Sequence, residues 1–203
     1  MKLICIGRNY VDHIKELGNQ RPKEPVVFIK PDSAILPKEQ DFYIPEFSDN
    51  VHYEVEVIVK INKVGKHIDK RFAPTYYEEI SVGVDFTARD LQSQLKEKGL
   101  PWEKAKGFDG SAIIGKWISK ERCENLDNLN FSLLKNGKIV QKGDTALMLW
   151  KIDELIAHVS TYFTLKKGDI LFTGTPAGVD KVERNDYFEG YIGEESLFTV
   201  NIK

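Results

Sequence analysis

The sequence has 203 residues, 41% hydrophobic and 30% charged, a balance typical of a globular protein with a substantial core. Its 29 basic and 31 acidic side chains leave a formal net charge of −2, which gives no electrostatic support for binding nucleic acid or an acidic membrane surface. No stretch approaches the roughly 20 apolar residues of a membrane helix. The two cysteines lie far apart and favour a reduced protein, so we expect a soluble, cytoplasmic chain.

The chain contains no internal repeat, low-complexity tract or flexible linker, so we expect one domain over residues 1–203. Its first apolar run, residues 3–6, is too short for a signal peptide and predicts a buried strand. Residues 10–17 place apolar side chains at helical spacing, and Gly18 ends this short helix. The polar residues that follow, up to residue 23, predict a mobile loop.

Strands and helices alternate along the rest of the chain. Residues 25–30 predict a second strand, and residues 51–61 alternate strictly enough to predict a long one. Residues 80–86 predict a further buried strand, and the Thr-Ala-Arg-Asp sequence at 87–90 resembles a capping box that opens a helix to about residue 98. Residues 153–163 predict another helix, and turn signals divide the remainder into short strands. The predicted fold class is therefore α+β with a mixed β core.

Two acids stand out on the predicted strand over residues 51–61. Glu54 and Glu56 lie on one face, opposite an entirely apolar face that must belong to the core. Same-face neighbours on a strand are roughly 6.6–7 Å apart at the backbone, so two glutamates can close onto one ion. Without a cation the two carboxylates would repel each other, and this repulsion would raise the pKa of one of them. The alternative is a solvent-facing strand with scattered acids, which is common.

Asp85 lies on a predicted buried strand, immediately before the predicted start of a helix. A buried acid is unfavourable unless it is paired, hydrogen-bonded or bound to a metal. Helix capping is the alternative role, but Thr87 already fills the capping position of the predicted helix. Three carboxylates with no histidine or thiolate form a hard, all-oxygen ligand set, which suits Mg²⁺ or Mn²⁺.

Three further features carry chemistry. His13 and Glu16 are three residues apart on the first predicted helix, so their side chains can meet. The glutamate can then orient the imidazole, which is the usual arrangement for a general base that acts on water. The alternative is an ordinary surface helix pair. Lys106 lies in a segment too rich in glycine and aromatic residues for a simple solvated lysine stretch. The turn at residues 173–178 can present a hydroxyl and backbone N–H groups to an anion, or be only a turn.

In order and spacing, these segments resemble the fumarylacetoacetate hydrolase family from Gly7 almost to the C-terminus. The resemblance is greatest to its short, single-domain acylpyruvate hydrolase and oxaloacetate decarboxylase branch. Asn185-Asp186 departs from the Gly-Asp that the family often has, but only in a turn. The motifs are Gly7-Arg8-Asn9-Tyr10 with His13 and Glu16, Glu54-x-Glu56, Asp85-x-Thr87-Ala88-Arg89-Asp90, Lys106-Gly107-Phe108-Asp109, Gly168-Asp169 and Thr173-Gly174-Thr175-Pro176.

The resemblance implies a mixed β-roll or barrel-like core with few short helices, a homodimer, and a lid segment at about residues 10–23. It implies Mg²⁺, with Mn²⁺ or Ca²⁺ able to take its place, bound by Glu54, Glu56 and Asp85. The family's catalytic positions correspond to the His13–Glu16 pair on the lid helix and to Lys106. Its substrate-side positions correspond to Arg8, Arg89, Gln92 and Thr175.

The expected activity is metal-dependent cleavage of a C–C bond in a small 2-keto acid, by acylpyruvate hydrolysis or oxaloacetate decarboxylation. A 2-keto acid can chelate the metal, and both reactions release a pyruvate enolate that the ion stabilises. A keto–enol tautomerase or isomerase, which keeps only the proton transfers, is the alternative within the family. A catalytically silent metal- or ligand-binding β-scaffold is the alternative from another class, but it leaves His13 and Glu16 without a purpose.

Overall fold

The computed structural model describes every residue from Met1 to Lys203. The fold is α+β, as the sequence predicts, and strands dominate it. The helices are α1 Val11–Glu16, α2 Arg89–Glu97, α3 Glu103–Lys106 and α4 Ile152–Tyr162. The strands are β1 Lys2–Gly7, β2 Val26–Pro31, β3 Val51–Tyr53, β4 Val55–Ile61, β5 Tyr77–Asp85, β6 Thr87–Ala88, β7 Ala112–Ile114, β8 Ile118–Ser119, β9 Asn130–Lys135, β10 Lys138–Asp144, β11 Ile170–Phe172, β12 Asp180–Lys181, β13 Tyr187–Ile192 and β14 Glu195–Asn201. Short 3₁₀ helices cover Asp32–Ala34, Lys70–Tyr76, Lys120–Arg122 and Thr145–Leu147.

Three sheets enclose the core. The largest has the strand order β2-β1-β11-β4-β5-β7, with β8 also paired to β5. Within it β1 and β11 are parallel, and the other neighbours are antiparallel. The second sheet has the order β10-β9-β13-β14 and the third β12-β3-β6. Side chains from all three sheets and from α4 meet in one apolar core, around which the large sheet curls into a half-barrel.

The predicted strand over residues 51–61 changes sheet at Glu54. β3 pairs with β6 and β12, whereas β4 pairs with β5 and β11. Glu54, between β3 and β4, is only 5% exposed, and Glu56, in β4, is only 1% exposed. The alternative of a solvent-facing strand with scattered acids is therefore wrong, because the acidic face lies inside the molecule.

The capping box predicted at residues 87–90 does not form. Thr87 lies in β6, Ala88 is the N-cap of α2, and no side chain caps that end. The Thr87 hydroxyl accepts a hydrogen bond from Lys106 Nζ at 2.6 Å, while the Asp90 carboxylate accepts from the Ser48 hydroxyl. The Thr87 side chain, which the local pattern assigns to helix capping, thus forms a long-range contact instead.

The other predicted elements lie close to their expected positions. α1 and α4 begin and end within about one residue of the helical patterns, and β5 begins three residues before the predicted strand. α2 ends at Glu97, and Gly99 takes a φ of +63° beyond it, as a helix stop requires. Asn136 and Gly137 both have positive φ (54° and 76°) and connect β9 to β10 as the Asn-Gly turn signal predicts. None of the helices has both the length and the apolar character needed to cross a bilayer.

Candidate active site

The three predicted metal ligands converge at one end of the large sheet. Glu56 pairs with Gly83 across β4 and β5, and two residues further along each chain segment the Asp85 N–H donates to the Glu54 carbonyl oxygen at 2.9 Å. This register places the side chains of Glu54, Glu56 and Asp85 together, with one carboxylate oxygen from each within 4.8 Å of the others. All three carboxylates are buried. The sheet, rather than a loop, therefore sets their positions.

Lys106 lies at the end of α3 and points into this cluster. Its Nζ donates to Glu54 Oε2 at 2.8 Å, to Asp85 Oδ2 at 2.7 Å and to the Thr87 hydroxyl. Arg89 forms an ion pair with the other oxygen of Glu54. Burial opposes the charge of Lys106, but Asp85 and Glu54 outweigh burial and raise the pKa of Lys106 above its usual value.

Lys30 is a second buried lysine, and the sequence analysis missed it. Its Nζ lies 2.6 Å from Asp85 Oδ1 and forms an ion pair with it. It donates hydrogen bonds to the carbonyl of Phe86 and to both the carbonyl and the hydroxyl of Ser111. The only feature of the sequence that points to a buried Lys30 is its position on the strand, because period-two alternation along β2 puts Lys30 on the same face as Phe28. The side chain of a lysine near a strand end ordinarily extends into solvent, so the alternation pattern does not mark Lys30 as a residue of the site.

The cationic side chains around the cluster pair with only two of its three carboxylates, those of Glu54 and Asp85. Burial, and then the carboxylates of Asp85 and Glu54, raise the pKa of Glu56 well above its usual value. The only hydrogen bond to the Glu56 carboxylate comes from the Gly174 N–H, 2.6 Å from Oε2, and no cationic side chain pairs with it. Burial acts on Glu54 as well, but Lys106 and Arg89 outweigh it and lower the pKa of Glu54. One buried carboxylate without a cation, beside two others, fits a hard divalent ion.

The turn at residues 173–178 serves this cluster. Gly174 has a φ of +103°, and a Cβ there would lie 2.6 Å from the Asn9 Cβ, so only glycine fits. The Gly174 N–H therefore faces Glu56, which is a protein carboxylate and not the bound anion that the sequence suggested. Asn9, which the sequence analysis did not assign, ties this turn to the rest of the chain by donating to the Thr173 carbonyl at 2.7 Å.

The His13–Glu16 pair forms as predicted. His13 Nδ1 lies 3.1 Å from Glu16 Oε2, and the other Glu16 oxygen accepts from the Gly178 N–H at 2.8 Å. The His13 side chain is only 7% exposed, which does not fit the alternative of an ordinary surface pair. α1 thus holds an imidazole inward, oriented by a carboxylate that is itself anchored to the turn after β11.

A cavity of about 40 Å³ joins part of the predicted site. His13 and Glu54 line it together with Arg8, Arg89, Gln92 and Lys106. Arg89 donates to Gln92 Oε1 at 2.8 Å, which links two of the predicted substrate contacts. Glu16, Glu56, Asp85 and Thr175 lie outside the cavity lining.

Thr175 is buried outside the cavity lining, and a residue that the sequence analysis missed contacts its hydroxyl. Gln141 Nε2 donates to the Thr175 hydroxyl at 2.9 Å, and Gln141 Oε1 accepts from the Val55 N–H at 2.9 Å. The Val55 backbone lies between the two glutamates of the cluster, so Gln141 connects Thr175 to the acidic strand. No local pattern identifies such a glutamine, because both partners are distant in sequence.

A buried acidic centre with an oriented imidazole beside it is the organisation of an enzyme. The sequence matches the fumarylacetoacetate hydrolase C-terminal family over residues 2–200, and the chain belongs to that family.

Curated relatives cover nearly the whole chain. Mitochondrial oxaloacetate tautomerase FAHD1 of Bos taurus is 38% identical over 190 residues, 94% of this chain and 86% of the relative. Oxaloacetate tautomerase YcgM of Escherichia coli strain K12 is 41% identical over 199 residues, 98% of this chain and 91% of the relative.

Solved structures agree with this assignment. A fumarylacetoacetate hydrolase family protein from Yersinia pestis CO92 has a TM-score of 0.95 and 37% identity, covering 100% of this chain and 93% of that one. Fumarylpyruvate hydrolase from Pseudomonas aeruginosa, in complex with Mn²⁺ and pyruvate, has a TM-score of 0.93 and 35% identity, covering 100% and 89%. The fold and the family predicted from the sequence are therefore confirmed.

Proposed function

We propose that the chain catalyses metal-dependent enol chemistry on small 2-keto acids. One observation carries the proposal: Glu54, which belongs to a buried three-carboxylate cluster, lines a small cavity that an oriented imidazole also lines. The cluster suits a divalent cation, and the imidazole suits a proton transfer to or from a ligand bound there.

Glu54, Glu56 and Asp85 would hold the cation, with Mg²⁺ as the first candidate and Mn²⁺ or Ca²⁺ able to take its place. When bound, such an ion supplies positive charge that favours the enolate form of a 2-keto acid. The Mn²⁺ in the fumarylpyruvate hydrolase structure supports a divalent ion in a related protein. Lys30 and Lys106 hold Asp85 from both sides and so fix one of the three ligands.

The remaining site residues would bind and orient the substrate. Arg89 and Gln92 face the cavity as a hydrogen-bonded pair, and Arg8 lies at its edge. Lys106 keeps its positive charge beside the carboxylates, where the oxygen-rich head of a keto acid would bind. Thr175 would contribute its hydroxyl, positioned by Gln141. His13, oriented by Glu16, would move the proton.

Tautomerisation of oxaloacetate is the first candidate reaction. In this reaction the His13 imidazole would carry the proton that leaves or returns to carbon 3 of the keto acid, while Glu16 stabilises the imidazolium. The support is the level of identity to two oxaloacetate tautomerases, 38% and 41%, over almost the whole chain. No water is consumed and no C–C bond is broken: the C–H bond at carbon 3 breaks, and an O–H bond forms at the oxygen on carbon 2.

Cleavage of a C–C bond is the second candidate. In acylpyruvate hydrolysis, His13 would take a proton from the water that attacks the distal carbonyl, and a pyruvate enolate would leave. In oxaloacetate decarboxylation, CO₂ would leave and the same enolate would be protonated. The His13–Glu16 pair and the likeness to a fumarylpyruvate hydrolase favour this candidate.

A turnover panel separates the candidates. With Mg²⁺ present, we would follow enol–keto interconversion of oxaloacetate, CO₂ release from it, and pyruvate release from acetylpyruvate and fumarylpyruvate. We expect the interconversion to be accelerated most. Binding of oxalate without acceleration of any reaction would instead favour a catalytically silent scaffold.

We also propose a homodimer, a single catalytic domain over residues 1–203 with a lid at about 10–23, and a cytoplasmic location. Sedimentation tests the homodimer, limited proteolysis tests the single domain and its lid, and cell fractionation tests the location.

A further inference from the structure

The buried acidic cluster holds as many cationic side chains as carboxylates. The carboxylates belong to Glu54, Glu56 and Asp85, and the cationic groups paired with them belong to Lys30, Arg89 and Lys106. A carboxylate must be ionised to bind a metal ion, so in a site ready for a cation three negative charges face three positive ones. The charges of the chain itself at this cluster therefore sum to zero before any ion is bound.

A divalent ion changes this balance of charge. Together with such an ion, the cluster would carry two positive charges that no carboxylate compensates. The three carboxylates are buried, and so are Lys30 and Lys106, so solvent screens this excess far less than it would at the surface. A ligand that brings two negative charges restores neutrality, and a ligand with one negative charge restores only half of it.

Lys106 is the one cationic residue that contacts two of the three carboxylates. Its Nζ lies 2.8 Å from Glu54 Oε2 and 2.7 Å from Asp85 Oδ2, and it also donates to the Thr87 hydroxyl at 2.6 Å. The same side chain lines the small cavity that His13 lines. Lys106 thus contacts two candidate metal ligands and also borders the space for a substrate. Like charges this close repel, so its ammonium opposes a metal ion and favours an anion.

We propose that Lys106 makes the binding of the cation and the binding of a dianionic ligand depend on each other. The cation alone binds weakly because the Lys106 ammonium repels it, and a chelating head with two negative charges binds together with it. Because the coupling is reciprocal, each of the two raises the affinity for the other by the same factor. The inference rests on the proposed function. It assigns the preferred head as the enolate form of a 2-keto acid, with one charge on the carboxylate and one on the enolate oxygen, rather than the singly charged keto form.

The test uses two ligands of nearly the same shape and needs no turnover. Oxalate carries two negative charges, whereas oxamate carries one, because an uncharged amide replaces one of the carboxylates. Calorimetry on the whole chain measures the dissociation constant of Mn²⁺ alone, with oxalate and with oxamate. We expect oxalate to lower the dissociation constant of Mn²⁺ about tenfold or more beyond the effect of oxamate.

Variants of α3 assign the effect to Lys106. Lys106→Gln retains a hydrogen-bond donor without the charge, so it should bind Mn²⁺ alone about tenfold or more tightly than the parent does. Its preference for oxalate over oxamate should fall by a similar factor, and the comparison with the parent cancels the intrinsic affinity of each ligand for Mn²⁺. Lys104→Gln, at an exposed lysine on the same helix, is the matched control and should leave every constant within about twofold.

The outcomes separate this inference from the proposed function. If Mn²⁺ binds neither alone nor with oxalate, both are overturned. If Mn²⁺ binds but Lys106→Gln binds it less tightly than the parent does, Lys106 only holds the carboxylates in place, and the inference alone is overturned. Equal dissociation constants of Mn²⁺ with oxalate and with oxamate in the parent also overturn the inference alone, and that measurement does not depend on the folding of any variant.

Discussion

The Lys30 ammonium lies 2.6 Å from Asp85 Oδ1, and neither side chain is exposed to solvent. Lys106 binds the other oxygen of the same carboxylate, so Asp85 is held between two buried cations. Burial lowers the pKa of Lys30, although Asp85 opposes this shift. Removing one partner from a buried ion pair leaves the other charge without compensation, which destabilises far more than the loss of a surface pair.

We expect Lys30→Met, which replaces the ammonium by an apolar group of similar length, to lower the free energy of unfolding of the metal-free protein by about 3 kcal/mol or more. Denaturant unfolding measures the change. The matched control is Lys60→Met on β4, since Lys60 pairs with Glu79 at 2.5 Å in a partly exposed position. It should change stability by less than about 1 kcal/mol. Equal losses in the two variants would contradict the role of Lys30.

The Glu56→Gln variant should separate metal binding from folding. In the parent, Mg²⁺ or Mn²⁺ should raise the melting temperature, because a ligand that binds only the folded state stabilises it. Glu56→Gln should lose most of that rise. Without metal it should melt at or above the parent's temperature, because it removes a buried carboxylate that has no cation of its own. Glu79→Gln is the control, and a full metal-induced rise in Glu56→Gln would refute the ligand assignment.

His13→Ala should separate binding from chemistry. We expect metal and oxalate affinity to stay within a few-fold of the parent, while kcat on the best substrate falls roughly 10²- to 10⁴-fold, the usual contribution of a positioned general base. Glu16→Ala should show a smaller loss, since the imidazole remains but is less well oriented. His158→Ala, on α4, serves as the control. An unchanged kcat in His13→Ala would remove the pair from the mechanism.

Short-range patterns predicted the acidic cluster well. Glu54 and Glu56 share a face because strand side chains alternate with period two, and that period survives even though the strand changes sheet between them. Asp85 was identified because an acid that ends an apolar strand needs a partner. Both arguments need only neighbouring residues, and the sheet register then brings the three side chains together.

Long-range contacts could not be predicted in the same way. Thr87 matches a capping pattern, but its hydroxyl accepts a hydrogen bond from Lys106. Lys106 is 19 residues away in sequence and comes close to Thr87 only in the folded chain. Gln141 and Lys30 have their partners on other strands, and nothing in their own segments distinguishes them. Sequence reasoning therefore missed Lys30 and Gln141, which hold residues of the site in place from other strands.

The lid prediction at residues 10–23 can be tested by hydrogen exchange. α1 has six residues and is too short to be stable alone, so its order depends on contacts such as Glu16 with the Gly178 N–H. We expect amides in this segment to exchange markedly more slowly when oxalate and Mg²⁺ are bound, because the ligand adds contacts to it. Amides of α4 are the internal control. Equally slow exchange with and without ligand would argue against a lid.

A titration far from the site gives a pH-dependent prediction. Glu154, in the first turn of α4, accepts from Lys70 Nζ at 2.8 Å and from the Lys151 N–H at 2.9 Å. The hydrogen bond from Lys70, and then that from Lys151, lower the pKa of Glu154 below its usual value. Its charged form is thus favoured by folding, and the associated stability is present above the unfolded pKa of about 4.3.

We therefore expect Glu154→Gln to melt about 1–3 °C below the parent at pH 7, a modest loss because the pair is partly exposed. The difference should shrink as the pH falls below about 4.3 towards the lowered pKa of the folded state, where the parent's carboxylate also becomes neutral. Added salt should reduce it at pH 7 by screening. Glu124→Gln, an exposed acid without side-chain hydrogen bonds, is the control and should show no pH-dependent difference. A gap between Glu154→Gln and parent that stays constant from pH 7 to pH 3 would show that the charge of Glu154 does not contribute.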